Sequence, residues 1–144
     1  MKVFTVGLIF DSTLSEVVLM EKTHPEWQKG KLNGIGGKVE EGESVMECIV
    51  REVKEEAGVS SQSNDWIHFA TLFEGVSKIE FFALKYTGNK SEIKTLTDEK
   101  VSWYPVNNLP QNLVAGIGWL VPLALEKLSG ASLELVVAKY NSTS

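Results

Sequence analysis

Between Gly37 and Val59 the chain reads Gly-Lys-Val-Glu-Glu-Gly-Glu-Ser-Val-Met-Glu-Cys-Ile-Val-Arg-Glu-Val-Lys-Glu-Glu-Ala-Gly-Val, and this stretch constrains the fold more than any other. Met46, Ile49, Val53 and Ala57 recur at the three- and four-residue intervals of one buried helix face. Ser44 and Glu47 have the spacing of a capping box, and Gly58 supplies a left-handed stop. At about 100° per residue, Glu52, Glu55 and Glu56 fall within an arc of roughly 100° beside the apolar stripe. Three carboxylates therefore share one patch.

Like charges three and four positions apart repel and raise one another's pKa, so the patch calls for a countercharge. Hard oxygen ligands at this density suit Mg²⁺ or Mn²⁺, which bind through a few carboxylates, waters and substrate phosphate oxygens. A solvated acidic helix face is the alternative for carboxylates standing alone.

They do not stand alone. Gly37, Glu43, Arg51-Glu52, aliphatic Val53, Glu55-Glu56, Gly58 and aliphatic Val59 resemble the Nudix box at every defined position. A chance match of this kind is on the order of one in a billion per starting point at average residue usage. The resemblance is to the Nudix hydrolases, and it extends more loosely over most of the chain. It implies a single-domain α/β/α sandwich with a mixed sheet.

With 144 residues and 43% hydrophobic content the chain can bury a core, and its length fits one domain, 1–144. The net charge of −5 and the absence of a Lys/Arg stripe argue against nucleic-acid and membrane-surface partners. Cys48, the single cysteine, excludes an internal disulfide or a cysteine metal cage and fits a cytoplasmic location. The apolar run Val3 to Phe10 ends at Asp11 without a small-residue cleavage site, so it reads as a buried strand, not a secretion signal. The Asn-x-Ser/Thr triplets at Asn89 and Asn141 would matter only in a secreted protein.

Along the chain, Val3 to Phe10 and Glu16 to Glu21 read as a hairpin, and Lys22 to Lys31 as a loop near the rim of the site. His24 in that loop is a candidate ligand or acid, or simply solvated. Leu32 to Lys38 reads as a glycine loop. It is neither a Walker loop, since Leu32 and Val39 stand where glycine and Ser/Thr are needed, nor a dinucleotide fingerprint, which would need glycine at Val39. Past the helix, strands are predicted over Trp66 to Glu74, Ile79 to Tyr86 and Lys100 to Val106. A last helix runs from about Trp119 to Leu128, tolerating Pro122 only in its first turn, and an edge strand spans Leu133 to Ala138. Cys48 is better explained by small-residue packing than by nucleophilic chemistry, since no basic partner is evident.

The resemblance implies a Mg²⁺-dependent enzyme, with Mn²⁺ able to substitute, that hydrolyses a nucleoside diphosphate linked to another moiety. It makes Glu52, Glu55 and Glu56 metal ligands, with Arg51 and Glu43 orienting them through charge-assisted hydrogen bonds. The Gly36 carbonyl would complete the metal shell, and Lys38 would reach phosphate or stay solvated. Glu99 resembles the carboxylate that a late loop supplies in several such enzymes, so it is a candidate further metal ligand or base, and Glu52 or Glu99 is the candidate base. Coming from a mobile loop, Glu99 should matter less than Glu52.

Lys31 to Val39 looks like the segment of Nudix enzymes that sanitise oxidised purine nucleoside triphosphates, in which Asn33 would read a base edge; the alternative is a turn residue before Gly34. The acidic pair that helps the mammalian enzyme of that type read its base has no counterpart in Ala115-Gly116-Ile117-Gly118. Trp27 and Trp119 are the aromatic candidates for stacking. The expected substrate is thus a small nucleotide, foremost a nucleoside triphosphate cleaved in MutT-like fashion to monophosphate and pyrophosphate. A nucleotide sugar or dinucleoside polyphosphate is the alternative, a non-catalytic nucleotide-binding module a third reading, and the protein is expected as monomer or homodimer.

Overall fold

The apolar run near the start of the chain becomes β1 (Lys2–Phe10) of a computed structural model that describes residues 1–141. Successive strand side chains point to opposite faces, and Val6, Leu8 and Phe10 join one apolar cluster while Ile9 joins another. A strand buried on both faces belongs inside a sheet. The remaining elements are β2 (Glu16–Glu21), β3 (Leu32–Asn33), β4 (Ile35–Lys38), α1 (Val45–Ala57), β5 (Ile67–Glu74), β6 (Ser77–Lys85), β7 (Val101–Pro105), α2 (Ile117–Leu128) and β8 (Val136–Tyr140).

One sheet takes the order β3-β2-β1-β6-β5-β8, with β4 paired to β1 and β7 to β2. It is mixed: β1 with β6 and β5 with β8 run parallel, and the other pairs are antiparallel. On one face α1 buries Ile49, Val53 and Ala57 against Ile9, Met20, Trp66 and Phe82. On the other, α2 buries Ile117, Leu120, Val121 and Ala124 against Leu8, Leu19, Phe69 and Phe81. The α/β/α sandwich expected from the sequence is the architecture found.

Two local devices fit the helices to the sheet. A bulge between His68 and Ala70 puts consecutive Phe69 and Ala70 on the α2 side, because the extra residue in β5 resets the alternation. Gly7 lies under α1 where any Cβ would stand 2.8 Å from the Ile49 Cδ1 and 2.9 Å from the Trp66 ring, so glycine sets how closely the helix approaches.

Three boundaries differ from the sequence reading. The glycine stretch Leu32 to Lys38 is not a loop but the strands β3 and β4. A Cβ on Gly36 would lie 1.8 Å from the Thr5 carbonyl oxygen, so glycine here lets two strands meet and is not needed for an unusual turn. The second helix begins at Ile117, which makes Pro122 its sixth residue, beyond the first turn. The edge strand starts at Val136 and not Leu133, because its parallel register with Ala70 to Glu74 turns Val136, Ala138 and Tyr140 onto the α2 cluster. The triplet at Asn141 runs into residues outside the described ones. No helix among the described residues is long and apolar enough to cross a membrane.

Candidate active site

Helix α1 starts where the sequence marks it. The Ser44 hydroxyl accepts from the Glu47 N–H at 3.1 Å and the Glu47 carboxylate accepts from the Ser44 N–H at 2.8 Å, while Gly58 closes the helix at φ 73°. This capping box fixes the first turn, and with it the phase in which Glu52, Glu55 and Glu56 leave the helix.

Arg51 organises the carboxylates. Its Nε and Nη2 donate to the two oxygens of Glu43 at 2.7 and 3.0 Å, and Nη1 donates to Glu52 at 2.6 Å and to Glu55 at 3.3 Å. Nη2 also reaches the Lys38 carbonyl at 3.4 Å. This fork against a carboxylate is the geometry that distinguishes arginine from lysine. The Arg51 hydrogen bonds hold the Glu43 carboxyl down to about 2, against the desolvation that opposes them. Glu55 is the outlier of the three: its side chain is 55% exposed, and it does not line the cleft that Glu52 and Glu56 border.

Glu56 is held in the opposite state. Burial and the adjacent Glu52 carboxylate push its carboxyl up to about 8. Its Oε2 is sealed from solvent and has no hydrogen-bond partner. Such an oxygen is costly unless something positive meets it. Beneath it the Glu52 carboxylate rests over Gly37, whose missing side chain makes the room. No three His, Cys, Asp or Glu side chains among the described residues converge as a ready metal cage. The orphaned Glu56 oxygen beside Glu52 nonetheless fits a divalent cation, which would draw further oxygens from substrate and water as Mg²⁺ does.

Glu99 is not the mobile loop acid anticipated from sequence. It is 2% exposed. It accepts from Lys22 Nζ at 3.0 Å and from the Thr23 N–H at 2.8 Å, with His24 Nδ1 at 3.7 Å. Burial works against its charge, yet these donors prevail and hold it below the ordinary carboxylate range. A loop that donates a backbone N–H and an ammonium to one acid fixes that acid.

Glu52, Glu56 and Glu99 border one cleft of about 600 Å³, within the range usual for small-molecule sites. Gly36, Lys38, Asn33, His24 and Trp27 line it as well. Trp27 is 63% exposed at its mouth. The Asn33 Oδ1 accepts from the Gly34 N–H at 2.8 Å, and no hydrogen bond among the described residues engages its NH₂. Trp119 does not line the cleft; its indole N–H donates at 2.7 Å to Tyr140, and it is Tyr140 that forms the wall. Cys48 is buried against the Thr5 hydroxyl at 3.2 Å, and burial pushes its thiol up to about 11, which leaves it a packing residue.

Sequence reasoning missed Lys22, Glu74 and Tyr140, along with the apolar floor of Phe4, Ile79 and Phe81. These residues come from β1, β5, β6, β8 and the loop after β2, and no local pattern links them.

A family model described as NUDIX domain matches residues 1–122. The chain is 31% identical over 134 residues to the human 8-oxo-dGDP phosphatase NUDT18, covering 85% of this chain and 39% of that protein. It is 32% identical over 111 residues to the NAD-capped RNA hydrolase NudC of Vibrio vulnificus, covering 72% and 39% respectively. The chain thus spans well under half the length of these curated relatives. Among solved structures, an ADP-ribose pyrophosphatase from Streptococcus suis superposes with a TM-score of 0.74 at 21% identity, over 94% of this chain and 98% of that one, a likeness of fold. The matched model covers residues 1–122, most of the chain: the chain belongs to the Nudix hydrolase family.

Proposed function

We propose that the protein is a divalent-cation-dependent pyrophosphohydrolase that cleaves a nucleoside triphosphate to the monophosphate and pyrophosphate. The observation that carries this reading is the sealed, unpartnered Glu56 Oε2 beside Glu52, at the edge of a cleft that Glu99 and Lys38 also line. A structural carboxylate would have a partner; a ligand waiting for a cation would not.

Glu52 and Glu56 would hold Mg²⁺ or Mn²⁺, with the Gly36 carbonyl, Glu55 and Glu99 as further oxygens within the same region. When bound, the cation neutralises charge on the phosphates and favours ionisation of an attacking water. Arg51 fixes Glu52 in place by holding one of its oxygens, and Glu43 in turn anchors Arg51. Lys38 faces the cleft as a cation for phosphate oxygens. Glu52 or Glu99 takes the proton of the attacking water; Glu99, already ionised by Lys22 and Thr23, is a ready acceptor once its ion pair with Lys22 opens. The apolar end of the cleft and Trp27 take the base. Residues 1–144 would act as one domain, in the cytoplasm, on a small-molecule nucleotide, as a monomer or a homodimer.

A second reading, hydrolysis of another nucleoside diphosphate derivative, draws on the relatives, whose names specify an oxidised purine diphosphate, an NAD cap and ADP-ribose. A screen of nucleoside triphosphates, diphosphates, ADP-ribose and NAD with Mg²⁺, with products identified by mass, separates the two. Monophosphate plus pyrophosphate from a triphosphate, lost in Glu56→Gln, supports the first reading; turnover of only the bulkier substrates supports the second. No hydrolysis of any substrate would leave a binding module.

A further inference from the structure

At the end of the cleft away from α1, one carboxylate has no task in the phosphate machinery. Glu74, the last residue of β5, is half-buried and lines the cleft, and no ion pair among the described residues includes it. Strand alternation puts its side chain on the face of Leu72, two residues earlier, and the parallel register sets it beside Tyr140 of β8. Phe4, Ile79 and Phe81 form the adjoining apolar floor. β5 lies three strand positions from β4, across β1 and β6, which is about 14 Å at ordinary strand spacing. Glu74 is therefore too remote to share a cation with Glu52 and Glu56, and stands where the other end of a bound nucleotide falls.

An apolar floor with an aromatic wall suits a flat ring, and a carboxylate at its edge sorts rings by their hydrogen-bonding pattern. An ionised carboxylate only accepts, through two oxygens side by side. Guanine offers it two adjacent donors, the ring N1–H and the 2-amino group. Adenine and cytosine set an acceptor ring nitrogen beside their amino group, and that nitrogen would face a carboxylate oxygen unpaired. Thymine and uracil have one N–H between two carbonyls. We propose that Glu74 is a specificity-determining residue that accepts from both donors of a guanine-type base, so that the cleft selects guanine nucleotides. The inference rests on the nucleotide reading of the cleft and adds the base.

The test compares wild type, Glu74→Gln and Glu74→Ala. kcat/KM is measured for GTP and ATP with Mg²⁺, dissociation constants for GMP and AMP are measured by calorimetry in chelator, and a melting curve checks each fold. Wild type should favour guanine by about tenfold or more in both measurements, since a site built for hydrogen bonds rejects a ring that leaves them unmade. Glu74→Gln places an amide donor beside an acceptor, the complement of adenine, and should reverse the preference. Glu74→Ala should abolish it. A guanine-to-adenine ratio that stays the same in all three folded proteins, or no guanine preference in wild type, overturns the proposal. Calorimetry separates the two readings: base-selective binding of GMP without hydrolysis sinks the proposed reaction and keeps the role of Glu74, whereas hydrolysis without base selectivity does the reverse. Failure of GMP and AMP alike to bind overturns the role of Glu74.

Discussion

The Glu52 carboxylate lies so close over Gly37 that a Cβ there would stand 2.6 Å from its Oε2. The obstacle to a methyl group is the far end of a flexible side chain, which can swing away. Gly37→Ala should therefore fold with a melting temperature near that of the wild type, while activity falls by about 10²-fold, the usual consequence of moving a positioned group by an ångström. Gly36→Ala meets the rigid Thr5 carbonyl at 1.8 Å and should destabilise the sheet itself. Melting curves and kcat for the two variants check the contrast; a loss of stability in Gly37→Ala equal to that in Gly36→Ala would refute it.

Glu56 makes the metal-free protein sensitive to pH. Its folded-state value, about 8, lies above the ordinary 4.5, so the folded form holds a proton that the unfolded chain releases. Its contribution to stability is fully present below about 4.5 and is lost as pH rises through about 8. In chelator, the wild type should lose stability relative to Glu56→Gln across this window, and saturating Mg²⁺ should restore it by binding the ionised form. Thermal melts from pH 5 to 8.5 with and without Mg²⁺ measure this.

Arg51→Lys keeps the charge and loses the fork. One ammonium point charge cannot meet both oxygens of Glu43 and also reach Glu52 at 2.6 Å. We expect a loss of about 1–3 kcal/mol in unfolding free energy, on the scale of hydrogen bonds to charged groups. Glu43, held at about 2, contributes stability that is present above 4.5 and lost as pH falls through about 2, so the variant should also unfold at higher pH in an acid titration. Urea melts and acid unfolding curves test both.

Glu99→Gln should cost stability. Glu99 is buried and accepts from Lys22 and Thr23, so an amide there faces an ammonium with half its acceptors replaced by donors. The expected loss is about 1–3 kcal/mol. Activity should fall less than in Glu52→Gln; an equal or larger fall in kcat, at saturating Mg²⁺ and with the fold intact, would mark Glu99 as the base.

Amino-acid order by itself determined α1 and most of what it carries. Capping by Ser44 and Glu47, the stop at Gly58 and the shared arc of the glutamates depend on contacts within a few residues, which a helical period reads directly. The burial of β1 was legible in its apolar run, and the structure adds that both of its faces are covered. Tertiary structure alone decided the rest. Glu99 is fixed by Lys22, 77 positions away, and no window of sequence reports that pairing. The exposure of Glu55, 55% against 14% for Glu52 on the same helix, depends on how α1 sits against the sheet. Tyr140 reaches the cleft only because β8 pairs with β5 in one register, and a shift of one residue would have turned the tyrosine and its neighbours to the other face. Local periodicity places the clustered acids of α1, but the walls of the cleft depend on strand order and register, which become defined only when the sheet assembles.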